Sequence, residues 1–481
     1  MSVEKTFISN NVVRILKPSV KILTPHRVNE KSQNLSWKAL DYCGPDPDFK
    51  KQKQENMNGS GGGVIAGILA NAGHKVLVLE KGSYLARTNL SLLEGRSMDQ
   101  MYLGSGLLAT KDMDVMLLAG STVGEKGVKN WGTQWKQSLG TRPRIITVDG
   151  VAWVAKMGRK KGTGETWLVD LVKSENGAIL PECEALEVIY EKKNDNSGKN
   201  KAIGVTLAFQ NSEGVREICM VKSKVTVIAC GALSTPSLLK VSGLNNPNIG
   251  KNLHLHPVVI AWGYFPDSPS ISNETWPREE KKNYKGGIMT AMSKVVANFE
   301  GSSGYDIKMR MSKYSRTAYI FVLERDKESG EAFSPYSVTY KLDQTDEENL
   351  KLGLEKTLRI LAAAGAEEIG TQHGKGKSLK VKEASLKQFE RFVQKESSIE
   401  IGKHSAPICS AHQMGSCRMG VDPRTSVVNP KGETWEAEGL FLGDSSVFPT
   451  ALGVNPMVTV QAISYCTAQS VLQVLKNQKL G

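Results

Sequence analysis

Cysteine is sparse and scattered in this 481-residue chain, with seven residues at 43, 183, 219, 230, 409, 417 and 466. There is no C-x-x-C pair and no Cys/His spacing suited to zinc, which excludes a disulfide framework and a zinc module; reduced thiols and no metal site are expected. Long apolar runs are also missing. Stretches such as Val64 to Leu69 and Val76 to Leu79 fall far short of the roughly 18 residues that span a bilayer, so nothing here is expected to cross a membrane by itself. Met1 to Lys17 contains Val-Val and Ile-Leu but no apolar core and no small-residue cleavage site, so an intracellular protein is expected rather than a secreted one. No internal repeat is visible. Aromatic residues are not interleaved with the basic runs Lys156 to Lys161 and Lys375 to Lys382. Those runs read as solvated surface, and nucleic-acid binding is not expected.

What is present is an ordinary globular balance. The 40% hydrophobic and 23% charged residues rule out global disorder, and the length implies two or three domains with ample core. The 62 Lys+Arg against 49 Asp+Glu leave +13, which favours anionic partners slightly. Residues 1 to 58 mix basic, Asn and Gln residues without sustained periodicity and read as a flexible leader. Gly59-Ser60-Gly61-Gly62-Gly63 then opens a short helix over Val64 to Ala72, followed by a buried parallel strand over Val76 to Leu79. Trp153 to Ile228 reads as mostly strand, with turns at Glu175-Asn176-Gly177, Asn194 to Gly198 and Asn211 to Gly214. Val225 to Ala229 is a strand running into a helix, Thr317 to Leu323 is β-rich, and Glu347 to Ala364 is an amphipathic helix. A second domain on an antiparallel sheet is placed in this middle region. The tail returns to α/β signals, with a strand at Leu440 to Leu442 and a closing helix from about Val458 to Leu475.

Four clusters carry the chemistry. A glycine turn before a helix lets backbone N–H groups approach a pyrophosphate, and an acid about 20 residues later binds a ribose hydroxyl. Glu80, 18 positions after Gly62 and 21 after Gly59, stands in that place. Aligned as G-x-G-x-x-G the motif begins at Met57, and no apolar strand precedes it, so a flexible linker and a dinucleotide site both remain open from these residues alone. The second cluster, Cys230 to Leu244, is a well-signalled strand–turn–helix unit. The third, Ser410 to Gly420, is a glycine- and sulfur-rich loop around His412, which is either a structural histidine or a base. The fourth joins Gly443-Asp444-Ser445-Ser446 to Gly453-Val454-Asn455-Pro456, and is at least an N-capped helix start.

In order and wording these clusters resemble the glucose–methanol–choline (GMC) family of FAD oxidoreductases, and most closely the plant long-chain fatty alcohol oxidases. The likeness covers about Gly59 to Gly127 and Gly158 to Lys476. Its specific runs are GALSTPSLLKVSGL, with Asn245 where the family has Gly, GKNLHLHPVVIAWGYFP, MSKYSRTAYIFVLERD, AHQMGSCRMG, and VVNPKGETWEAEGLFLGDSSVFPTALGVNPMVTVQAIS. The resemblance implies an α/β (α+β) fold with a Rossmann-like FAD-binding domain over 59–260, a substrate domain on an antiparallel sheet over 261–400, and a C-terminal part of the FAD-binding domain over 401–481 that carries the active site. It implies His412 as the active-site base and Asn455 as the polar group holding the alcohol oxygen. It also implies Gly59, Gly61 and Gly62 at the pyrophosphate, Glu80 at the adenosine ribose, Gly120, Ser121 and Thr122 near the flavin, and Asp444 at its ribityl or pyrophosphate portion. The implied reaction is FAD-dependent oxidation of long-chain alcohols to aldehydes, with molecular oxygen giving hydrogen peroxide, at an internal membrane such as the endoplasmic reticulum.

The sequence also departs from that pattern. The first strand and the first motif glycine are missing, Glu125-Lys126 stand where the family packs glycine on the flavin, and an internal segment is cut down to residues 132–157. The apolar anchoring segments of the family are absent as well, so a cytoplasmic location stays open beside a membrane-associated one. An oxidase, a remnant unable to hold FAD, and a flavin dehydrogenase using another acceptor are the three readings this leaves.

Overall fold

The strand Lys75–Leu79 is buried on both faces and sets the architecture. In the computed structural model, which describes residues 12–16, 61–84, 99–122, 163, 166–192, 199–211, 213–266, 313, 316–327, 329–372, 377–402 and 408–480, this strand lies in a five-stranded sheet. The order is Leu440–Leu442, Thr226–Ile228, Val12–Leu16, Lys75–Leu79, Gly177–Leu180. Side chains alternate across it. Val76 and Val78 join Ile65, Leu69, Leu171, Val227, Phe441 and Val471 in one core, contributed partly by the helices Gly61–Asn71, Trp167–Lys173 and Met457–Leu480. Leu77 and Leu79 join a second core with Ile228, Leu239, Leu440, Leu442 and Phe448. Burial on both faces is why these short strands read as continuous apolar runs.

The central position of this sheet corrects the reading of residues 1–58 as a leader that is flexible throughout. Val12–Leu16 pairs antiparallel with both neighbours, Val13 lying opposite Val78 on one side and Val227 on the other. The remaining pairs, Lys75–Leu79 with Gly177–Leu180 and Leu440–Leu442 with Thr226–Ile228, are parallel. The physical reason is the demand of two buried strands for backbone partners. Val-Val-Arg-Ile-Leu is β-branched and largely apolar within an otherwise polar stretch, and it meets that demand. Among the described residues the slot between these two strands is filled from far upstream, in the opposite direction.

Within the stretch expected to be mostly strand, the described residues include one helix, Trp167–Lys173, where Leu168, Leu171 and Val172 recur at helical spacing and are all buried. Strands follow at Gly177–Leu180, Cys183–Glu191, Asn200–Gln210 and Arg216–Lys222. The expected turn at Asn211 is an Asx turn, its Oδ1 accepting from the N–H of Glu213 and Val215 at 2.9 Å.

A seven-stranded, largely antiparallel sheet forms the second layer, ordered Ser378–Lys380, Glu368–Thr371, Val258–Tyr264, Ile408–Ser410, Val115–Leu117, Leu108–Ala109, with Thr317–Leu323 also pairing Val258–Tyr264. It therefore draws strands from all three of the contiguous ranges expected for the two domains. The helix Gln344–Ala363, capped by the Asp343 carboxylate accepting from Thr345 N–H at 2.8 Å, lays Leu350, Leu354, Leu358 and Leu361 on it. Two of its strands matter for function. Val258–Tyr264 begins just after His256-Pro257, and Ile408–Ser410 ends just before His412; they pair at Val258 and Cys409.

Candidate active site

The edge of the five-stranded sheet made by the carboxyl ends of its parallel strands gathers the residues expected to meet a dinucleotide. Gly61, Gly62 and Gly63 are the buried first turn of the helix Gly61–Asn71, whose leading N–H groups have no acceptor within the helix. Gly61 has to be glycine: a Cβ there would lie 2.0 Å from the Gly443 carbonyl oxygen and 2.1 Å from Ser464 Oγ. Gly59 lies outside the described residues. Glu80 follows the strand Lys75–Leu79, is 9% exposed, and accepts the Gly82 N–H at 2.8 Å. The segment Gly120-Ser121-Thr122 is laid beside it. Thr122 Oγ1 donates to the Ser83 carbonyl at 2.8 Å, and Ser83 and Thr122 form a parallel bridge. Glu125-Lys126 lie outside the described residues.

Asp444 stands at the same edge, after Leu440–Leu442, but its carboxylate is engaged by the protein. Oδ2 accepts from Gly231 N–H at 2.9 Å and Thr235 Oγ1 at 2.7 Å, and Oδ1 from Ser446 N–H at 2.7 Å. Burial raises its ionisation above the usual carboxylate range against these three bonds. The side chain expected to reach the cofactor thus braces the two turns that border the site, because a buried carboxylate needs such partners.

His412 sits in a loop pinned from two sides. His254 and Met414 exchange backbone hydrogen bonds of 2.8 and 3.0 Å, Ser445 Oγ donates to the Gln413 carbonyl at 2.8 Å, and Gly415 N–H donates to the Ser445 carbonyl at 3.0 Å. Gly415 has φ +86° and a Cβ would meet the Asn252 carbonyl oxygen at 2.4 Å, so only glycine suits the turn. The His412 imidazole Nδ1 lies 3.3 Å from Nδ1 of His256, the rings edge-on at 83°. His256 in turn accepts the N–H groups of Leu452 and Gly453 at its Nε2, at 3.1 and 3.0 Å. Two residues beyond that turn, just before the helix Met457–Leu480, stands Asn455, exposed. The link between His412 and the turn bearing Asn455 therefore runs through His256.

His256 was not singled out by the sequence reading, nor was its support. It is fully buried and non-glycine at φ +50°, a sparsely populated conformation held in place by its surroundings. The holding group is Asp326, 2% exposed, which accepts Leu255 N–H at 2.8 Å, His256 N–H at 3.1 Å and Tyr340 Oη–H at 3.2 Å, with His254 Nδ1 at 3.6 Å. Burial alone would raise this carboxyl, but the nearby His254 ring and the bonds from the Leu255 and His256 N–H groups hold it below the usual range. The signal available in the sequence was His-Pro immediately before an apolar strand, and the acid ending VLERD.

Comparison with known proteins decides the family. Two models described as GMC oxidoreductase match residues 146–258 and 327–464. Long-chain-alcohol oxidase FAO4A of Arabidopsis thaliana is 42% identical over 98% of this chain and 85% of its own. The chain belongs to the GMC oxidoreductase family. Long-chain-alcohol oxidase FAO3 of the same plant is 36% identical, over 86% of this chain and 67% of its own. The FAO4A match runs over 626 aligned positions, more than the residues available here, so that relative carries blocks this GMC chain lacks. Solved structures agree on the fold. An FAD-dependent oxidoreductase from Chaetomium thermophilum is 14% identical with a TM-score of 0.56 over 88% of this chain and 99% of its own. Pyridoxine 4-oxidase from Mesorbium loti gives a TM-score of 0.53 at 14% identity, over 87% and 98%.

FAD is the cofactor of this family, and the sheet edge suits it. Besides the helix N-terminus at Gly61 to Gly63, two buried hydroxyls there, Thr163 Oγ1 and Ser446 Oγ, have no hydrogen-bond partner among the described residues. Thr163 packs on Gly63, and Ser446 follows Asp444. A helix N-terminus beside buried hydroxyls is what suits a phosphate group. Glu80, Gly61, Gly62 and Gly120 to Thr122 are the residues that would hold the cofactor, which when bound supplies the acceptor for the two electrons of an alcohol C–H bond. Among the described residues no cluster could hold a metal ion.

Proposed function

We propose that this protein oxidises long-chain fatty alcohols to aldehydes, with molecular oxygen as final acceptor and hydrogen peroxide as second product. The observation that carries the reading is the His412–His256–Leu452/Gly453 chain of contacts, which ties an imidazole to the turn bearing Asn455 in a chain 42% identical to a long-chain-alcohol oxidase. His412 serves as base for the hydroxyl proton, and the Asn455 amide holds the oxygen on which negative charge develops as that proton is withdrawn, before the hydride leaves the neighbouring carbon. The chain length of the alcohol and the oxygen acceptor follow the named relatives. We also propose peripheral contact with an internal membrane, favoured by the +13 charge; no helix of the described residues is long and apolar enough to cross one.

The central strand Val12–Leu16, running against its neighbours, favours a second reading, a remnant that no longer retains FAD. One experiment separates the two. Purified protein reconstituted with FAD and mixed anaerobically with a long-chain primary alcohol should show flavin bands that bleach. His412→Ala should keep the bands and lose the bleaching. Protein that takes up no FAD establishes the remnant reading, and bleaching that survives His412→Ala removes His412 from the reaction. Admitting oxygen, with peroxide assayed, tests the acceptor against a quinone.

A further inference from the structure

We propose that His256 is a positioning residue that sets the tautomer of His412 and makes His412's ability to take a proton depend on the turn Leu452–Gly453. The inference deepens the reading of His412 as base and rests on it.

The argument is one of hydrogen-bond capacity. A neutral imidazole has one N–H and one bare nitrogen. His256 Nε2 receives two backbone N–H groups, from Leu452 at 3.1 Å and Gly453 at 3.0 Å, so Nε2 must be the bare nitrogen and the ring proton lies on Nδ1. That Nδ1–H faces His412 Nδ1 at 3.3 Å. His412 Nδ1 is therefore the acceptor, and neutral His412 carries its own proton on Nε2. Burial pushes His256 down to about 4, in keeping with a ring that stays neutral at physiological pH.

The consequence for chemistry is specific. In this arrangement His412 Nε2 is an N–H donor, suited to hold an oxygen and not yet to accept a proton. For Nε2 to be bare, His412 must carry its proton on Nδ1. His256 must then present a bare Nδ1 and move its own proton to Nε2, where the Leu452 and Gly453 N–H groups now point. Each ring keeps one proton throughout; what changes is that the two backbone N–H groups must turn away. Proton acceptance is thus coupled to the turn that precedes Asn455. Among the described residues, the charged and titratable groups facing His256 include His254, Arg325 and Asp326, with Tyr340 bonded to Asp326. Asp326 fixes the His256 backbone, and Arg325 Nε–H holds the Ala451 carbonyl at 2.9 Å, so the turn is anchored from the same strand end.

The test begins with the full-length protein labelled with 15N-histidine, without added flavin. Long-range 1H–15N correlation should show His256 as the Nδ1–H tautomer and His412 as the Nε2–H tautomer, with signals assigned by His256→Gln and His412→Ala. A His412 Nδ1–H tautomer in the unliganded protein would overturn the proposal without reference to activity. In the FAD-loaded protein, His256→Leu should lower kcat by about a hundredfold, the scale of a displaced reacting group. Its KM should change far less, and the acid limb of its pH profile should move upward, since no N–H then opposes a second proton on His412. His256→Gln, which keeps a donor and an acceptor, should restore the limb. A His256→Leu profile that superimposes on the parent overturns the proposal. Loss of turnover in both variants with an unchanged limb would reduce His256 to packing and overturn it equally. Turnover that survives His412→Ala would instead sink the base assignment, leaving the tautomers as measured.

Discussion

At the scale of single residues, the candidate site is built by buried polar groups that each serve more than one partner. His256 is fully buried yet joins three backbone or ring groups, and that has a price in acid. Its ordinary value of 6.5 falls to about 4 in the folded protein, first through burial. As pH drops below 6.5 the unfolded chain gains a proton here that the folded chain refuses until about pH 4. The contribution of this residue to stability is therefore complete above 6.5 and declines between those limits, by roughly 3 kcal/mol. Denaturant unfolding at pH 7 and pH 4.5 should show this loss in the parent and a shallower one in His256→Gln; equal losses would place the acid sensitivity elsewhere. The sequence made His412 and Asn455 visible because both lie in motif-bearing loops. It did not reveal His256 or Asp326, whose importance comes from a contact between His256 and His412, 156 positions apart, and from a backbone at φ +50°, neither of which leaves a local pattern.

Elements were legible where period and burial agree. Lys75–Leu79, Thr226–Ile228, Leu440–Leu442 and the helices Gln344–Ala363 and Met457–Leu480 fall where apolar spacing puts them. The helix Trp167–Lys173 was hidden because seven residues offer barely two turns of periodicity. Val12–Leu16 was hidden for another reason: five residues in a polar stretch become a strand only through two partners far away in sequence. Val13 and Arg14 have neighbours on both sides, so their backbone groups lie within the ladder. Val13→Pro should therefore remove one ladder bond and orphan its acceptor, costing roughly 2 to 4 kcal/mol. Val13→Thr keeps the N–H and should cost little. Thermal melting of the two variants checks this, and a Val13→Pro protein as stable as the parent would show that the sheet does not depend on this strand.

Taken as a whole molecule, the two layers meet where the chemistry is. The parallel strands deliver Glu80 and Asp444 at one edge, while the antiparallel sheet delivers His256 and His412 from the ends of two paired strands. Asp444 binds Gly231 and Thr235 on the cofactor side, and Ser445, next in sequence, binds Gln413 beside His412. A single turn thus bridges cofactor edge and pocket. Because that turn belongs to the folded state alone, FAD should bind the folded chain and not the unfolded one, and free FAD at 100 times its Kd should add about 2.7 kcal/mol of stability. The melting temperature should rise by a few degrees with FAD, and Glu80→Ala should need a higher FAD concentration for the same rise, since it loses the acid at the end of the Lys75–Leu79 strand. A rise equal in both proteins would take Glu80 out of the cofactor site. No rise in the parent at any FAD concentration would mean that the reversed central strand has cost the fold its cofactor, leaving His412 with a pocket but no acceptor for the electrons.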